Sequence, residues 1–410
     1  MKTGVYLMMA VGLSLFMSAL SLAADWPGWM GPDRNGITAE RLAGDMGKVS
    51  WRVKVGIGFS SMAVVGDRLL TMGHNGEKQG GKETVWCLDV KTGKVLWSDS
   101  YTAELLDNLH VGGPAATPLI DGKVVYSLSR DGQLRCYSLA EGKLVWKVDM
   151  MKTSGMKQVP EWGFSASPLL IGDQLIIEAG ATFCLDKKSG NVIWKSQNYR
   201  PAYGTPSAFK APDGRQCLAV LKTDGLVILD RTDGKSLAFA KWETSFNTNA
   251  TTPIVVDGRY GFISSGYDRG CALFDFHQGA LKPVYEKAVM SNHMNNSVRV
   301  GGHLYGFDGT AHRGRPTEFV CMDFKTGTER WRVGAEKLLG CGSLVVAADQ
   351  MLILTERGEL IRAKVSAEGF ELEDRVQVLG GRCWTPLVLA GGRVFCRNSR
   401  GDLICAGGAQ

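Results

Sequence analysis

The chain has no Cys-x-x-Cys pair, no His-Glu-x-x-His, no Asp-x-Asp-x-Asp-Gly loop and no Gly-x-Ser-x-Gly turn. The usual sequence marks of zinc and calcium sites and of a serine nucleophile are therefore missing. A formal charge of +6 is spread over 410 residues without a Lys/Arg block, so nothing marks a nucleic-acid partner. Beyond the N-terminus no second long apolar run occurs, which argues against a membrane span. Proline is scarce, 13 residues against 52 glycines, a balance suited to many tight turns between short strands. With 44% apolar and 21% charged residues, the chain reads as an ordinary globular protein long enough to bury a core.

The first residues carry Lys2, an apolar run from Val5 to Leu20, then Ser21-Leu22-Ala23. That pattern predicts a cleavable secretory signal peptide over residues 1–23, since the run is short for a membrane span. The mature chain is then expected to be soluble and periplasmic or secreted. An exported chain with ten cysteines first suggests disulfides. Cys87, Cys136, Cys184, Cys321 and Cys405, however, recur at one position of a repeat, so they fall in different sheets. Packed sheets lie about 10 Å apart, beyond the roughly 7 Å Cα separation that a disulfide spans. These five are read as small buried apolar residues; one bridge among Cys217, Cys271, Cys341, Cys383 and Cys396 stays open.

The repeat is written most clearly as CLDVKTGKVLW from Cys87, CYSLAEGKLVW from Cys136, CLDKKSGNVIW from Cys184 and CMDFKTGTERW from Cys321. Each copy reads as strand, turn, strand. Gly93, Gly142, Gly190 and Gly327 supply the positive φ of the turn, and Asp89, Asp186 and Asp323 bond the backbone ahead. Trp97, Trp146, Trp194 and Trp331 close the copies as anchors. Weaker copies around Gly234, Gly279 and Gly369 place equivalent positions at 238, 283 and 373. A strand-built period of roughly 45 residues belongs to propeller blades.

The ends decide closure. The last unit stops after RGDLIC (400–405) without a turn-Trp strand, and GKVSW (47–51) supplies that strand at the other end of the chain. We therefore expect an all-β, eight-bladed β-propeller of four-stranded antiparallel blades, spanning 47–410. The strand carrying Trp51 completes the C-terminal blade and removes both unpaired edges. A seven-bladed ring, through the degraded copy at Gly369, and an open solenoid are the alternatives. Residues 24–46, rich in Trp and Pro, are expected to form a strap across one ring face or a docking segment.

In a propeller the loops entering the innermost strands open on the central channel. Here they read HVGGPAATP (110–118), WGFSASP (162–168), AYGTP (202–206), FNTNATTP (246–253), SNHMNNS (291–297) and GGRCWTP (380–386). His110, Trp162, Tyr203, Asn247, Asn249, His293, Asn295, Asn296, Arg382 and Trp384 are the candidate ligand-binding residues, an aromatic shelf with amides and imidazoles that suits a flat polar ring, a sugar or a peptide. The competing reading is structural: Asn, Ser and Thr in such loops satisfy backbone groups, and neither histidine has a carboxylate at a readable spacing. No catalytic residue and no metal ligand is assigned. The tip Tyr267-Asp268-Arg269-Gly270 faces either the channel, a partner or solvent.

With its Asp-x-x-Thr-Gly-Lys-x-x-Trp copies, NHMNNSVRVGGHLYGFDG (292–309) and GGRCWTPLVLAGGRVFCRNSRGDLIC (380–405), the chain resembles the PQQ-like β-propeller repeat proteins, exported bacterial propellers grouped with quinoprotein dehydrogenases and the assembly factor BamB. The resemblance implies an eight-bladed ring. For the dehydrogenases it also implies pyrroloquinoline quinone with calcium, held against an adjacent Cys-Cys disulfide and a stacked Trp, whereas this sequence has no adjacent Cys pair and no matching acidic set. The expectation is a noncatalytic envelope scaffold without cofactor, binding envelope proteins or a small polar ligand. A PQQ-dependent oxidoreductase acting on an alcohol or sugar, or a carbohydrate-binding propeller, are the rivals.

Overall fold

The computed structural model describes residues 25–408 except 109, 312 and 335–339, and of 313–315 only the backbone. The expected signal peptide lies outside the described residues. Among the described residues there are eight sheets and one short helix, Met150–Ser154, and no helix is long and apolar enough to cross a membrane. Blades 1 to 7 cover 63–102, 119–149, 169–195, 207–241, 254–287, 298–333 and 343–377. Each holds four consecutive antiparallel strands, innermost first.

The eighth blade closes the ring. Val49–Lys54 pairs antiparallel with Asp402–Gly407, placing Trp51 opposite Cys405 and Val53 opposite Leu403. Its other two strands are Val388–Ala390 and Arg393–Arg397. Arg397 then crosses the seam to blade 1, donating from Nη1 to the carbonyls of Ser60 and Met72 and to Thr71 Oγ1, and from Nη2 to the Gly56 carbonyl.

Middle strands read as short apolar runs because both faces are covered by neighbouring blades; Gln174–Ala179 and Gly225–Asp230 are buried almost throughout. The core lies between blades. One cluster joins Leu70, Met72, Val85 and Cys87 of blade 1 to Ile120, Val125 and Tyr137 of blade 2. All ten cysteines are free and buried, and burial pushes the Cys87 thiol up to about 11 and the Cys136 thiol up to about 12, so these two pack as neutral thiols.

Each Trp anchor staples its blade to the next one's turn. The indoles of Trp51, Trp97, Trp146, Trp194 and Trp331 donate from Nε1 to the carbonyls of Val90, Leu139, Lys187, Arg231 and Ser366. A Cβ on Gly93, Gly142, Gly190 or Gly234 would strike the indole lying over it, so these turns need glycine for space as well as for positive φ. Asp89, Asp186 and Asp323 accept from the backbone N–H three residues ahead. In blade 5 the position opposite Leu273 is Tyr285, not residue 283, because that hairpin is two residues longer. The Tyr285 hydroxyl donates to the Phe324 carbonyl in place of an indole. In blade 7 the equivalent residue is Asp374 rather than 373.

The segment before the closing strand runs across the ring. Trp26 forms a bridge with Val64 of blade 1, the Pro27 carbonyl accepts from Ile120 of blade 2, and Trp29 Nε1 donates to Thr252 Oγ1 of blade 5. Ile37–Thr38 then adds a parallel strand to blade 7 beside Val346 and Ala347, and Ala43 donates to Gly392 of blade 8.

Candidate functional site

A pocket of about 740 Å³ occupies the channel mouth, within the size range of ligand sites. Trp29 lines both this pocket and a 450 Å³ cavity on the strap side. A belt of side-chain bonds fixes the rim. Thr117 N donates to Ser167 Oγ, Ser167 N to Thr205 Oγ1, Ser207 Oγ to the Pro253 carbonyl and Ser61 Oγ to the Pro386 carbonyl, each bond joining adjacent blades. The Thr-Pro and Ser-Pro entries therefore serve the frame, which presents its rings from fixed positions.

Eight of the ten candidates line the pocket: His110, Trp162, Tyr203, Asn247, His293, Asn295, Arg382 and Trp384. Asn249 and Asn296 do not. Asn249 is fully buried, donating to the carbonyls of Lys222, Thr223 and Trp242 and accepting from Ser265 Oγ. Asn296 clamps the backbone N–H and carbonyl of Thr252. Asn295 faces the pocket, yet its amide is committed to the carbonyls of Gly342 and Trp384. For these amides backbone satisfaction is the physical role.

One wall is a continuous aromatic strip. Phe59 stacks on Trp384 at 5.6 Å and meets His110 edge-on at 5.2 Å, and His110 lies 5.6 Å from Trp162. Two guanidiniums adjoin the strip. Arg382 sits 4.4 Å over the Trp384 ring, and Arg130 Nη2 lies 3.4 Å from His110 Nε2. Elsewhere in the lining Phe246 and Tyr267 pack at 4.7 Å, and the Tyr267 hydroxyl meets His293 Nε2 at 3.1 Å. Tyr267 holds φ +61° and Asn247 φ +51°. A bulky aromatic in the left-handed region is uncommon, and the Tyr267 N–H bond to Thr310 Oγ1 helps hold it there. Burial pushes the Tyr203 phenol up to about 12.

Phe59 and Arg130 are site residues that the loop reading missed, and Tyr267 comes from the hairpin tip for which the channel was one of the readings. Phe59 precedes the innermost strand of blade 1, which has no complete unit before it in the sequence. Arg130 and Tyr267 occupy the tips between second and third strands of blades 2 and 5. Antiparallel order brings those tips to the same end of the ring as the inner-strand entries. The signal was the Tyr267–Gly270 tip itself.

Beneath the Arg130 end lies Glu83, fully buried. It accepts from the Arg130 backbone N–H and the Tyr101 hydroxyl. Burial, then the charge of Asp131, pushes its carboxyl up to about 8. The folded state thus holds a proton that the unfolded chain releases above about 4.5. Stability from this group is present at acid pH and is lost as pH rises through that window, by at most about 1.4 kcal/mol per unit. Thermal melts from pH 5 to 8.5 should show this decline, and Glu83→Gln should flatten it. A wild-type decline unchanged in the variant would place the titrating group elsewhere.

The calcium implied by the resemblance finds no fit. Among the described residues no three of His, Cys, Asp and Glu come together, and the pocket lining holds one carboxylate, Glu161, where calcium takes several oxygen ligands.

A family model described as outer membrane protein assembly factor BamB matches residues 37–205 and 81–333. A polyvinylalcohol dehydrogenase of Sphingopyxis sp. (strain 113P3) is 27% identical over 113 residues, 25% of this chain and only 17% of that enzyme. Among solved structures, BamB from Moraxella catarrhalis is 18% identical with a TM-score of 0.62, covering 88% of this chain and 99% of its own. The quinohemoprotein alcohol dehydrogenase of Comamonas testosteroni is 12% identical with a TM-score of 0.69, over 94% and 81%. Chaetomium thermophilum Sqt1, solved bound to the N-terminus of ribosomal protein L10, is 12% identical with a TM-score of 0.62, over 83% and 93%. At these identities the structural likeness speaks to fold.

Proposed function

The chain belongs to the family of the outer membrane protein assembly factor BamB, and from that membership we propose that it is an exported, noncatalytic binding propeller of the cell envelope. Its mechanism is positioning. The ring-lined mouth pocket carries this reading: aromatic faces held by a closed frame bind without first having to order themselves. The Sqt1 ring, in complex with a ribosomal protein terminus, supports the idea that a wheel of this shape can seat a polypeptide end.

The test is recovery of partners from an envelope extract. Trp162 is half-buried in the pocket wall, its Nε1 donating to Thr248 Oγ1. Trp162→Ala should reduce recovery of a specific partner by about tenfold or more, as loss of a central aromatic does at interfaces. Equal recovery by variant and wild type would remove the mouth from the reading.

A quinone-dependent oxidoreductase is the second reading, favoured by the stacked rings and the two guanidiniums at the strip. Saturable quenching of tryptophan fluorescence by the quinone with calcium, together with dye reduction in the presence of an alcohol or sugar, would displace the scaffold.

A further inference from the structure

The outer edge of the ring is apolar on one side and polar on the other. Each outermost strand carries a β-bulge just before its anchor position, and the extra residue of the bulge has no partner in the ladder. Going round the ring, that residue is Leu96, Val145, Ile193, Leu237 and Val284 in blades 1 to 5. In blades 6 to 8 it is Arg330, Glu373 and Ser50. Blades 1 to 3 place a second apolar residue before the bulge, so Val95, Leu96, Leu144, Val145, Val192 and Ile193 all stand between 40% and 55% exposed. The three pairs adjoin. Trp97 covers Gly142, which leads into Leu144, and Trp146 covers Gly190, which leads into Val192. A continuous exposed apolar surface of this kind marks a contact.

Lysines flank the pairs. Over 89–98, 138–148 and 186–195 seven lysines face three carboxylates; Asp89 and Asp186 are bound into their own turns, and one lysine, Lys187, is spent on Asp121. Lys94, Lys143, Lys147 and Lys188 are exposed and form no ion pair among the described residues. Ammonium groups therefore border the aliphatic pairs on a solvent-facing edge.

This chemistry selects the occupant. A second copy, or a peptide adding a strand, needs an unbroken edge, and a bulge beside lysines is what denies one. A bilayer surface needs no register. It takes aliphatic side chains into its interface while anionic headgroups draw the ammoniums. The pairs also follow the turns between third and fourth strands, which antiparallel order puts at the end of the ring opposite the mouth.

We propose that the outer edge of blades 1 to 3 is a membrane-contact surface: its apolar pairs enter the interface of a bilayer carrying anionic lipid, its lysines meet the headgroups, and the mouth is left facing away. This goes beyond the mouth-binding reading and does not depend on it.

Flotation of the mature protein with vesicles of phosphatidylethanolamine, with and without phosphatidylglycerol, tests it. Vesicles holding the anionic lipid should carry at least about tenfold more protein at low salt, with an advantage that shrinks as salt rises. The triple variant Leu96→Ser, Val145→Ser, Ile193→Ser should lose about tenfold of that binding while melting near the wild type. Lys94, Lys143 and Lys147 replaced together by glutamine should erase the preference for anionic vesicles, which keeps the test open if the serine variant folds poorly. Arg330→Ser, at the matching bulge of blade 6, should float as the wild type does. No flotation with either vesicle, or flotation that survives both triple variants, would overturn the proposal. So would a wild-type dimer in light scattering that the serine variant turns into a monomer, which would assign the edge to a second copy. None of these results touches the mouth reading, which stands or falls on partner recovery by Trp162→Ala.

Discussion

Arg397→Ala is expected to cost about 3–5 kcal/mol and to lower thermal unfolding more than any rim substitution. Arg397 is fully buried, and burial holds its guanidinium down to about 9. Among the described residues it pairs with no acid; its acceptors are three carbonyls and a hydroxyl of blade 1 and the segment leading into it. Charge-assisted bonds of this kind are worth more than neutral ones, and acceptors left bare in a dry seam carry a desolvation penalty. Arg397 therefore acts as a clasp between the last blade and the first. Arg397→Lys, with its compact ammonium, should recover part of the loss, since it cannot span the same acceptors. Wild-type melting of Arg397→Ala would show that the paired strands hold the seam unaided.

Deleting residues 47–54 is expected to abolish the folded monomer. The deletion removes the edge partner of Asp402–Gly407 and the Trp51 indole that covers Gly93. It leaves an unpaired apolar strand, a template for pairing with another chain. Size-exclusion chromatography should show oligomers and aggregates. A synthetic peptide covering 45–56, added during refolding, should restore monomer. A deletion variant that stays monomeric and melts normally would contradict closure by this strand.

Much of this was legible because propeller blades repeat their chemistry. Turn glycines and tryptophans announced the period, and the half-unit at each end announced the seam. The copies that drifted were the harder ones. In blade 5 a tyrosine two residues further along replaces the indole, since any flat side chain with a donor at its tip can reach the next turn. The site was half legible for a related reason. Asn249 and Asn296 have the same composition as pocket residues, yet their amides satisfy backbone groups; a sequence gives residue types without directions. Arg130 was hidden because it sits between the second and third strands of its blade, away from the inner-strand entries in the sequence, and only the ring geometry brings that tip beside His110.

The pairing of Trp51 with Cys405 also sets a timetable. The segment that finishes the wheel is made before the seven other blades, and its mate after them. Until then seven sheets can stack and an orphan ribbon must stay unoccupied. Such a molecule invites a guardian during biogenesis, and its slowest folding event should be the meeting of its two ends.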